Sequence, residues 1–360
     1  MPQVRVPVLV TGASVERLRR ELDALTAKMV DAIARRVVMA RRIAEVKAAG
    51  GMPPRDLIRE DQLIADQSAR DVAPLTPREV SRLLVDVIDI GLQRSAPRES
   101  AVMRGAGPSV ACEGIGEGLA REWVMGPCSI ESLQQVTEVA DVLVANGVRH
   151  MRGGAWKPRT SPGAFCGLGL KGLTWLSEVA RGLGLTSWTE ATSTARLEPA
   201  FELADVVWIG ARNAQSFDLL AEAGRYSGRT GRPVMLKRGF GCTVAEWIAG
   251  AEWIASGGTE RIILCERGIR SFSNSSRFLL DVAAIAQARA LTRLPVIADV
   301  SHPAGQRSLV APLARAAFAA GADAVMVEVH PDPDSALSDA AQQMPLDAVR
   351  GLVDGGATWT

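Results

Sequence analysis

Residues 262–268 read Ile-Ile-Leu-Cys-Glu-Arg-Gly, an apolar run that ends abruptly at charged residues and a glycine. A short apolar run bounded in this way is typical of a buried β-strand. Seven further runs end in the same manner, and segments of helical pattern separate them: 122–125, 149–151, 187–188, 207–209, 234–236, 294–298 and 324–327. Eight alternating β and α units predict an α/β fold, a (β/α)8 TIM barrel, whose active site lies at the C-terminal ends of its strands.

Six basic residues follow these predicted strands: Arg152, Lys157, Arg159, Arg212, Lys237 and Arg267. A single cation after a strand is usually a solvated loop residue. Six at the catalytic face of a barrel instead predict a cleft of one charge sign, which suits a multiply anionic, phosphorylated substrate.

A second set of side chains at the strand ends combines a thiol, an imidazole and carboxylates. It comprises Cys128, His302, Glu328 and a following aspartate, which is Asp339, Asp332 or Asp334. Such a set suits a divalent first-row metal that acts as a Lewis acid on a carbonyl, and it leaves manganese, iron, cobalt, zinc and copper open. The remaining cysteines are interpreted as small buried hydrophobes, and the remaining histidines as structural: Cys112, Cys166, Cys242, Cys265, His150 and His330.

Residues 121–353 resemble the type I beta DAHP synthases, in which DAHP is 3-deoxy-D-arabino-heptulosonate 7-phosphate. The matching blocks run in the family's order: 126–129, 152–162, 209–213, 236–239, 265–270, 301–302, 328–333 and 336–339. The resemblance implies that phosphoenolpyruvate, erythrose 4-phosphate and water give DAHP and phosphate, the first step of the shikimate pathway in aromatic amino acid biosynthesis.

The same resemblance implies roles for single residues. It implies Cys128, His302, Glu328 and Asp339 as ligands of a divalent metal, with manganese expected first and cobalt, iron or zinc as alternatives. It implies Arg152, Lys157, Arg212, Lys237 and Arg267 for phosphoenolpyruvate, and Pro158, Arg159, Thr160 and Ser161 for erythrose 4-phosphate. The implied catalytic residues are Lys157, Arg152, His302 and Asp299.

Two departures from the family pattern lie close to this predicted site. After residue 162 the family usually has an aromatic residue and, three positions later, a glutamine, where this chain has Gly163 and Cys166. Where the family has Thr-Arg-Asn-Thr-Leu-Asp, residues 276–281 read Ser-Arg-Phe-Leu-Leu-Asp, which introduces Phe278 and Leu279. A related aldehyde, such as an amino-sugar phosphate of a secondary pathway, is therefore an alternative substrate. The block 157–161 and the fused N-terminal segment disfavour 3-deoxy-octulosonate 8-phosphate synthesis.

The N-terminal third has a purely helical pattern. Apolar residues recur at helical spacing from Val15 to Lys47, and shorter helical patterns follow at Leu57–Ser68 and Pro77–Arg94. These patterns predict a small all-α, three-helix domain in front of the barrel. Because one long helix cannot bury its apolar stripe against two short ones, an intertwined dimer is expected.

This helical segment resembles the AroQ-class chorismate mutases. Six residues match the family's active-site positions: Arg19, Arg36, Lys47, Asp56, Arg59 and Glu60. The resemblance implies binding of chorismate and prephenate, either for their interconversion or for feedback inhibition of the barrel. Ser95 stands where the family has glutamine or glutamate, so a noncatalytic effector or partner module is the alternative.

Composition fits this organisation. We expect an extension at 1–14, the mutase-like domain at 15–95, a Gly- and Pro-rich linker at 96–120 and the barrel at 121–360. A net charge of +1 over 360 residues argues against nucleic acid as a partner. The chain has neither an apolar run of membrane-span length nor a secretory signal pattern, and five cysteines, an odd number, suggest a reducing cytoplasm. By analogy with the family, a homo-oligomer is expected, either a dimer or a tetramer.

Overall fold

The computed structural model describes residues 12–49, 57–70, 72–77, 79–81, 83, 84, 87, 102, 115, 121–157, 163–273 and 275–357. The chain divides into two compact units, Met1–Arg98 and Glu99–Thr360. Within the described ranges, no helix combines the length and apolar character that a membrane span requires.

The first unit is helical. Its long helix α1 is Gly12–Ala49, and α2 is Leu57–Ser68. The described residues between 77 and 87 are also helical. Thr76 and Glu79 form a capping box at the start of this third helix, with the Thr76 amide donating to Glu79 Oε2 at 2.8 Å. The predicted helices are confirmed over these residues, whereas 88–94 lie outside the described part of the chain.

The second unit is a closed barrel of eight parallel strands. They are Glu122–Gly126 (β1), His150–Arg152 (β2), Thr186–Glu190 (β3), Val206–Ile209 (β4), Val234–Lys237 (β5), Ile262–Glu266 (β6), Val296–Asp299 (β7) and Ala324–His330 (β8). Each strand pairs in parallel with the next, and β8 pairs with β1 to close the cylinder. The eight predicted strands and the predicted TIM barrel are confirmed.

Helices surround the barrel between the strands. They are Leu133–Ala145 (α3), Leu170–Gly182 (α4), Leu197–Leu203 (α5), Phe217–Thr230 (α6), Val244–Ser256 (α7), Val282–Leu291 (α8), Ser301–Ala304 (α9), Arg307–Ala319 (α10) and Ala348–Ala357 (α11). Three 3₁₀ turns, Thr194–Arg196, Ala211–Asn213 and Pro333–Ser335, and a short strand, Met344–Pro345 (β9), complete the described elements. Polar side chains start several helices, as Ser132 does for α3 and Thr243 with Glu246 for α7.

The strands are buried because their side chains fill the barrel on one face and contact the helices on the other. The interior cluster contains Ile115, Val124, Trp188, Val206, Trp208, Met235, Ile263, Cys265, Ile297, Ala324 and Met326. Ile115 and Val102 are both fully buried, so parts of the predicted linker pack in the barrel unit. Since parallel strands share one direction, their C-terminal ends meet at a single mouth.

Candidate active site

Five basic side chains line one pocket at the barrel mouth. Arg152 ends β2, Lys237 ends β5, Arg267 directly follows β6, Lys157 lies on the loop after β2, and Arg212 lies on the turn after β4. All five line a pocket of about 680 Å³, a volume that includes its solvent-open part. The structure thus brings together the five cations that the sequence predicts at the phosphoenolpyruvate site.

The floor of this pocket is the indole of Trp208, a barrel-interior residue. The guanidinium carbon of Arg152 lies 5.1 Å from the ring centroid, and Lys237 Nζ lies 5.3 Å from it. Cations over an aromatic face are attracted by its quadrupole, most strongly where water is excluded. Trp208 therefore holds two cations in place. Sequence reasoning assigned it only to a strand, because strand alternation does not reveal which interior residue lies at the mouth.

An aromatic wall, formed by the stacked rings of Phe240 and Phe278, flanks the pocket. Their centroids are 5.3 Å apart with an interplanar angle of 16°. The guanidinium carbon of Arg267 lies 4.8 Å from the Phe240 centroid and 4.3 Å from that of Phe278. Burial lowers the pKa of Arg267 from its ordinary value. Phe278, one of the departures from the family pattern, thus contacts a predicted substrate-binding cation directly.

The thiol, imidazole and carboxylate set also converges at the mouth. Ligand atoms of Cys128, Glu328 and Asp339 all lie within 4.8 Å of one another. His302 Nε2 lies 3.7 Å from Glu328 Oε1 and 3.9 Å from Asp339 Oδ2. Glu328 Oε1 is buried and accepts no hydrogen bond from the described residues. A donor atom of this kind beside a thiol and an imidazole fits a divalent first-row metal ion.

The thiol of Cys128 lies in a crowded electrostatic environment. Burial is the largest influence and, together with Glu328, raises its pKa to about 12 although Lys157 opposes the shift. Lys157 Nζ lies 3.0 Å from Cys128 Sγ and 3.0 Å from its carbonyl oxygen. Burial disfavours the Lys157 ammonium, yet Cys128 and Glu328 raise the pKa of Lys157, so it keeps its proton. A divalent cation bound beside it would favour the thiolate form of Cys128.

Asp299 contacts two residues of the site, Lys237 and His302. It forms an ion pair with Lys237, and its Oδ2 lies 2.8 Å from His302 Nδ1. Burial, the largest single influence, opposes ionisation of this carboxyl, but His302 and Lys237 together hold its pKa well below its usual range. The short distance from Nδ1 to this carboxylate favours the tautomer with the proton on Nδ1, which leaves Nε2 as the acceptor facing Glu328 and Asp339.

The predicted erythrose 4-phosphate residues Pro158, Arg159, Thr160 and Ser161 lie outside the described residues. A backbone hydrogen bond from Lys157 N to Cys166 O, 2.9 Å long, joins the two sides of this loop. Cys166 itself is exposed, so its interpretation as a buried hydrophobe was wrong. It lies in a coil segment that follows a turn at Gly163 and Ala164. Cys242 and Cys265 are buried as predicted.

Two further side chains at the site were missed by sequence reasoning. Arg277 lines the pocket and donates to Asp339 Oδ1 at 3.1 Å. Gln342 is buried and donates to Glu328 Oε2 at 2.6 Å. The only sequence signal was their position on loops that follow β6 and β8.

Four of the six residues predicted to bind chorismate have described side chains in the helical unit. Arg36 donates to the carbonyl of Val87 at 3.2 Å, and Arg19 pairs with Glu16 at 2.8 Å. Lys47 is half-buried and Arg59 is exposed. Asp56, Ser95 and the side chain of Glu60 lie outside the described residues, so this part of the prediction stays a prediction.

Two family models match the chain. Residues 109–353 match the DAHP synthetase I family, and residues 18–95 match chorismate mutase type II. Both matches agree with the two resemblances that the sequence motifs carry.

Individual relatives agree with these family matches. Phospho-2-dehydro-3-deoxyheptonate aldolase of Thermotoga maritima is 48% identical over 230 residues, which are 64% of this chain and 67% of that protein. The 2-dehydro-3-deoxyphosphooctonate aldolase of Syntrophotalea carbinolica is 35% identical over 246 residues, 63% of this chain and 86% of that protein.

A solved structure supports the same assignment. A truncated form of 3-deoxy-D-arabino-heptulosonate 7-phosphate synthase from Thermotoga maritima is 42% identical and superposes with a TM-score of 0.64. The matched region covers 71% of this chain and 93% of the chain in that structure. The N-terminal segment matches the chorismate mutase type II family, and the chain belongs to the DAHP synthetase I family.

Proposed function

We propose that the barrel condenses phosphoenolpyruvate with erythrose 4-phosphate and water to form DAHP and release inorganic phosphate. The observation that carries this proposal is the convergence of five cations and a Cys-His-Glu-Asp set on one pocket at the barrel mouth. A substrate with a phosphate and a carboxylate suits such a pocket, because each anionic group needs cationic partners when water is displaced. The name of the Thermotoga maritima relative supports the same reaction.

The basic residues bind and orient phosphoenolpyruvate. The guanidinium of Arg152 and the ammonium of Lys237 lie over the Trp208 ring, which positions both groups before substrate binds. Arg267 is held by the aromatic wall, and Arg212 lines the same pocket as Lys157. Preorganised cations stabilise the negative charge that develops during the addition step and on the departing phosphate.

Cys128, His302, Glu328 and Asp339 would hold a divalent metal, for which manganese is our first choice and cobalt, iron and zinc are alternatives. When bound there, such an ion supplies a Lewis acid for the aldehyde oxygen, which favours attack by the enol carbon. Lys157 contributes a fixed positive charge beside Cys128. Asp299 positions both His302 and Lys237, so it couples the two halves of the site.

The aldehyde is the part of the reaction for which a second candidate stands. Phe278 replaces a polar residue of the family pattern and lines the pocket. For this reason a related aldehyde phosphate is the second candidate substrate. The test is a comparison of kcat/KM for erythrose 4-phosphate, arabinose 5-phosphate and an amino-sugar phosphate, each with phosphoenolpyruvate. We expect erythrose 4-phosphate to be preferred, and preference for another aldehyde would replace this substrate assignment.

For the helical domain we propose binding of chorismate and prephenate, with conversion of the first to the second. Arg36 supports this proposal because it is part-buried within its own unit, where a carboxylate would be desolvated. Arg36→Ala should abolish the mutase rate and leave condensation intact. If chorismate lowers the condensation rate without being converted, the domain is a noncatalytic feedback module instead.

We also propose the type of ligand, the oligomeric state and the cellular location of the protein. Both sites take small-molecule ligands, and we expect the chain to act as a homodimer or homotetramer. The free thiols of Cys128, Cys242 and Cys265 suit the reducing cytoplasm in which we place the protein.

A further inference from the structure

Gln342 joins the Cys-His-Glu-Asp set to the edge of the substrate pocket. Its side chain is buried, with 2% of its surface exposed. Gln342 Nε2 donates to Glu328 Oε2 at 2.6 Å, and Gln342 Oε1 accepts from Arg277 Nη1 at 2.8 Å. Its backbone amide donates to the carbonyl of Asp339 at 3.2 Å. One residue therefore contacts both carboxylate residues of the set and the cation beside them.

The chemistry of the amide fixes its orientation. A glutamine has an oxygen that only accepts and a nitrogen that only donates. Between the guanidinium of Arg277 and the carboxylate of Glu328, only one orientation satisfies both partners. The reversed amide would place NH₂ against a cation and oxygen against an anion, so Gln342 is held in a single arrangement.

This arrangement divides the oxygens of Glu328 into two kinds. Oε2 is occupied by Gln342. Oε1 accepts no hydrogen bond from the described residues, although Arg152 Nη1 lies 3.3 Å away. It is also the oxygen that lies 3.7 Å from His302 Nε2. Glu328 thus presents Oε1, the oxygen without a hydrogen bond from the described residues, toward the other members of the set.

Asp339 is divided in the same way. Its Oδ1 accepts from Arg277 Nη1 at 3.1 Å. Its Oδ2 faces Cys128 Sγ at 3.3 Å and His302 Nε2 at 3.9 Å. The backbone of Asp339 has a φ of 47°, a left-handed conformation that a non-glycine residue keeps only when its surroundings hold it. The hydrogen bond from the Gln342 amide to the Asp339 carbonyl is one such restraint.

We propose that Gln342 and Arg277 form a carboxylate clamp, which occupies one oxygen of Glu328 and one of Asp339 and thereby selects the oxygen that each offers to a metal ion. Gln342 is a positioning residue, because it acts through Glu328 and Asp339. The inference rests on the metal site of the proposed function. Without the clamp, the carboxylates of Glu328 and Asp339 are free to rotate away from the arrangement in which Oε1 and Oδ2 face His302, and restoring that arrangement then weakens metal binding.

The test is the affinity of the metal-free, full-length protein for Mn²⁺, read from the electron paramagnetic resonance signal of the free ion during titration. Removal of an outer-shell partner typically weakens metal binding about 10- to 100-fold. We expect Gln342→Met, which keeps the side-chain length and removes both hydrogen bonds, to weaken Mn²⁺ binding by about this factor. This readout does not depend on catalysis.

The matched control is Gln135→Met. Gln135 is also buried, but within the described part of the chain its side-chain amide forms hydrogen bonds only with the backbone of Glu131 and Ser129. This variant should lower the melting temperature and leave Mn²⁺ affinity within about twofold of wild type. Equal loss of affinity in both variants would show a general loss of packing and overturn the clamp.

A second variant keeps the test decisive if Gln342→Met folds poorly. The side chain of Arg277 is 39% exposed, so Arg277→Gln should fold normally while it loses the ion pair to Asp339. It should also weaken Mn²⁺ binding, and unchanged affinity in Arg277→Gln would overturn the clamp. If the wild-type protein binds no Mn²⁺, Co²⁺ or Zn²⁺, the proposed metal site itself is refuted. If the wild type and both variants bind Mn²⁺ equally well, the metal site stands and only the clamp is overturned.

Discussion

At the scale of single residues, Arg267 depends on the aromatic faces beside it. Its guanidinium carbon lies 4.8 Å from the ring centroid of Phe240 and 4.3 Å from that of Phe278. A cation–π contact contributes about 0.5–2 kcal/mol, the upper part of this range applying where water is excluded. We therefore expect Phe278→Leu to raise the KM for phosphoenolpyruvate by about 2- to 30-fold, measured by steady-state kinetics.

Phe272 provides the matched control for this prediction. It lies in the same segment after β6, but its side chain is fully exposed. Phe272→Leu should leave the KM for phosphoenolpyruvate unchanged. An unaltered KM in Phe278→Leu would mean that the ring does not position Arg267.

His150 is a buried, neutral histidine in the barrel interior. Trp188 Nε1 donates to His150 Nδ1 at 3.4 Å, and His150 Nε2 lies 3.8 Å from Glu122 Oε2. Burial lowers the pKa of His150 to about 4, against the opposing charge of Glu122 and with a smaller contribution from Arg149. In the unfolded chain the imidazole takes up a proton near pH 6.5, whereas the folded barrel resists it.

The free energy of unfolding should therefore decrease as the pH is lowered, because His150 resists protonation in the folded state. The unfolded state binds the extra proton below pH 6.5, so the contribution of His150 is complete above pH 6.5 and is lost progressively toward pH 4, by about 3 kcal/mol in all. All eight tryptophans lie beyond residue 120, so their fluorescence during urea unfolding reports on the barrel. His150→Gln should show a smaller loss of unfolding free energy between pH 6.5 and 4, and an identical loss in both proteins would contradict the assignment.

The sequence predicted the residues whose chemistry is visible from their type and their place after a strand. Arg152, Lys237 and Arg267 could be predicted because charged residues at strand ends interrupt apolar runs. Trp208 and Gln342 could not, since their importance arises from contacts with residues that are distant in the chain. Resemblance to a family chose Asp339 among three aspartates, which spacing alone left open.

At the scale of elements, α6 and α7 approach each other so closely at Gly224 that there is no room for a Cβ atom. A Cβ on Gly224 would lie 1.9 Å from the carbonyl oxygen of Ile254. Gly224→Ala must push the helices apart, and overpacking of this kind costs about 1–3 kcal/mol. We expect urea unfolding followed by tryptophan fluorescence to show a loss in this range.

Gly182, at the end of α4, is the control for that substitution. An added Cβ there meets nothing within 4 Å. Gly182→Ala should be neutral or slightly stabilising, since it reduces the entropy of the unfolded chain. Equal losses in the two variants would contradict the close helix contact as the cause.

Element bounds were less predictable than element identity. The run 324–327 marked β8, but the strand continues to His330 and carries Glu328 within it. Hydrophobic periodicity cannot show this extension, because a buried carboxylate in a strand looks like the start of a loop. The pairing of Val329 with Met344 in β9 is the tertiary contact that extends the strand.

At the scale of the whole molecule, α1 has an exposed apolar face. Leu18, Leu22, Leu25 and Met29 follow helical spacing on that face, and each is at least half exposed. Exposed apolar patches of this kind mark association sites. We expect light scattering to give the mass of a dimer or tetramer, and Leu22→Glu combined with Leu25→Glu to reduce it.

Arg20 lies on the opposite face of α1 and is exposed. Arg20→Glu changes charge without changing the apolar face, so it should leave the assembly mass unaltered. A monomeric wild-type protein at micromolar concentration would remove the prediction of assembly through α1.

The central claim is that the barrel performs metal-dependent condensation of phosphoenolpyruvate with erythrose 4-phosphate. The measurement that tests it most directly is phosphate release from phosphoenolpyruvate by purified protein, with and without the aldehyde, in Mn²⁺ and in excess chelator. The account predicts phosphate release and DAHP formation only when the aldehyde and Mn²⁺ are both present. Condensation at an unchanged rate after chelation would contradict the metal site, and no phosphate release with both present would contradict the proposed reaction.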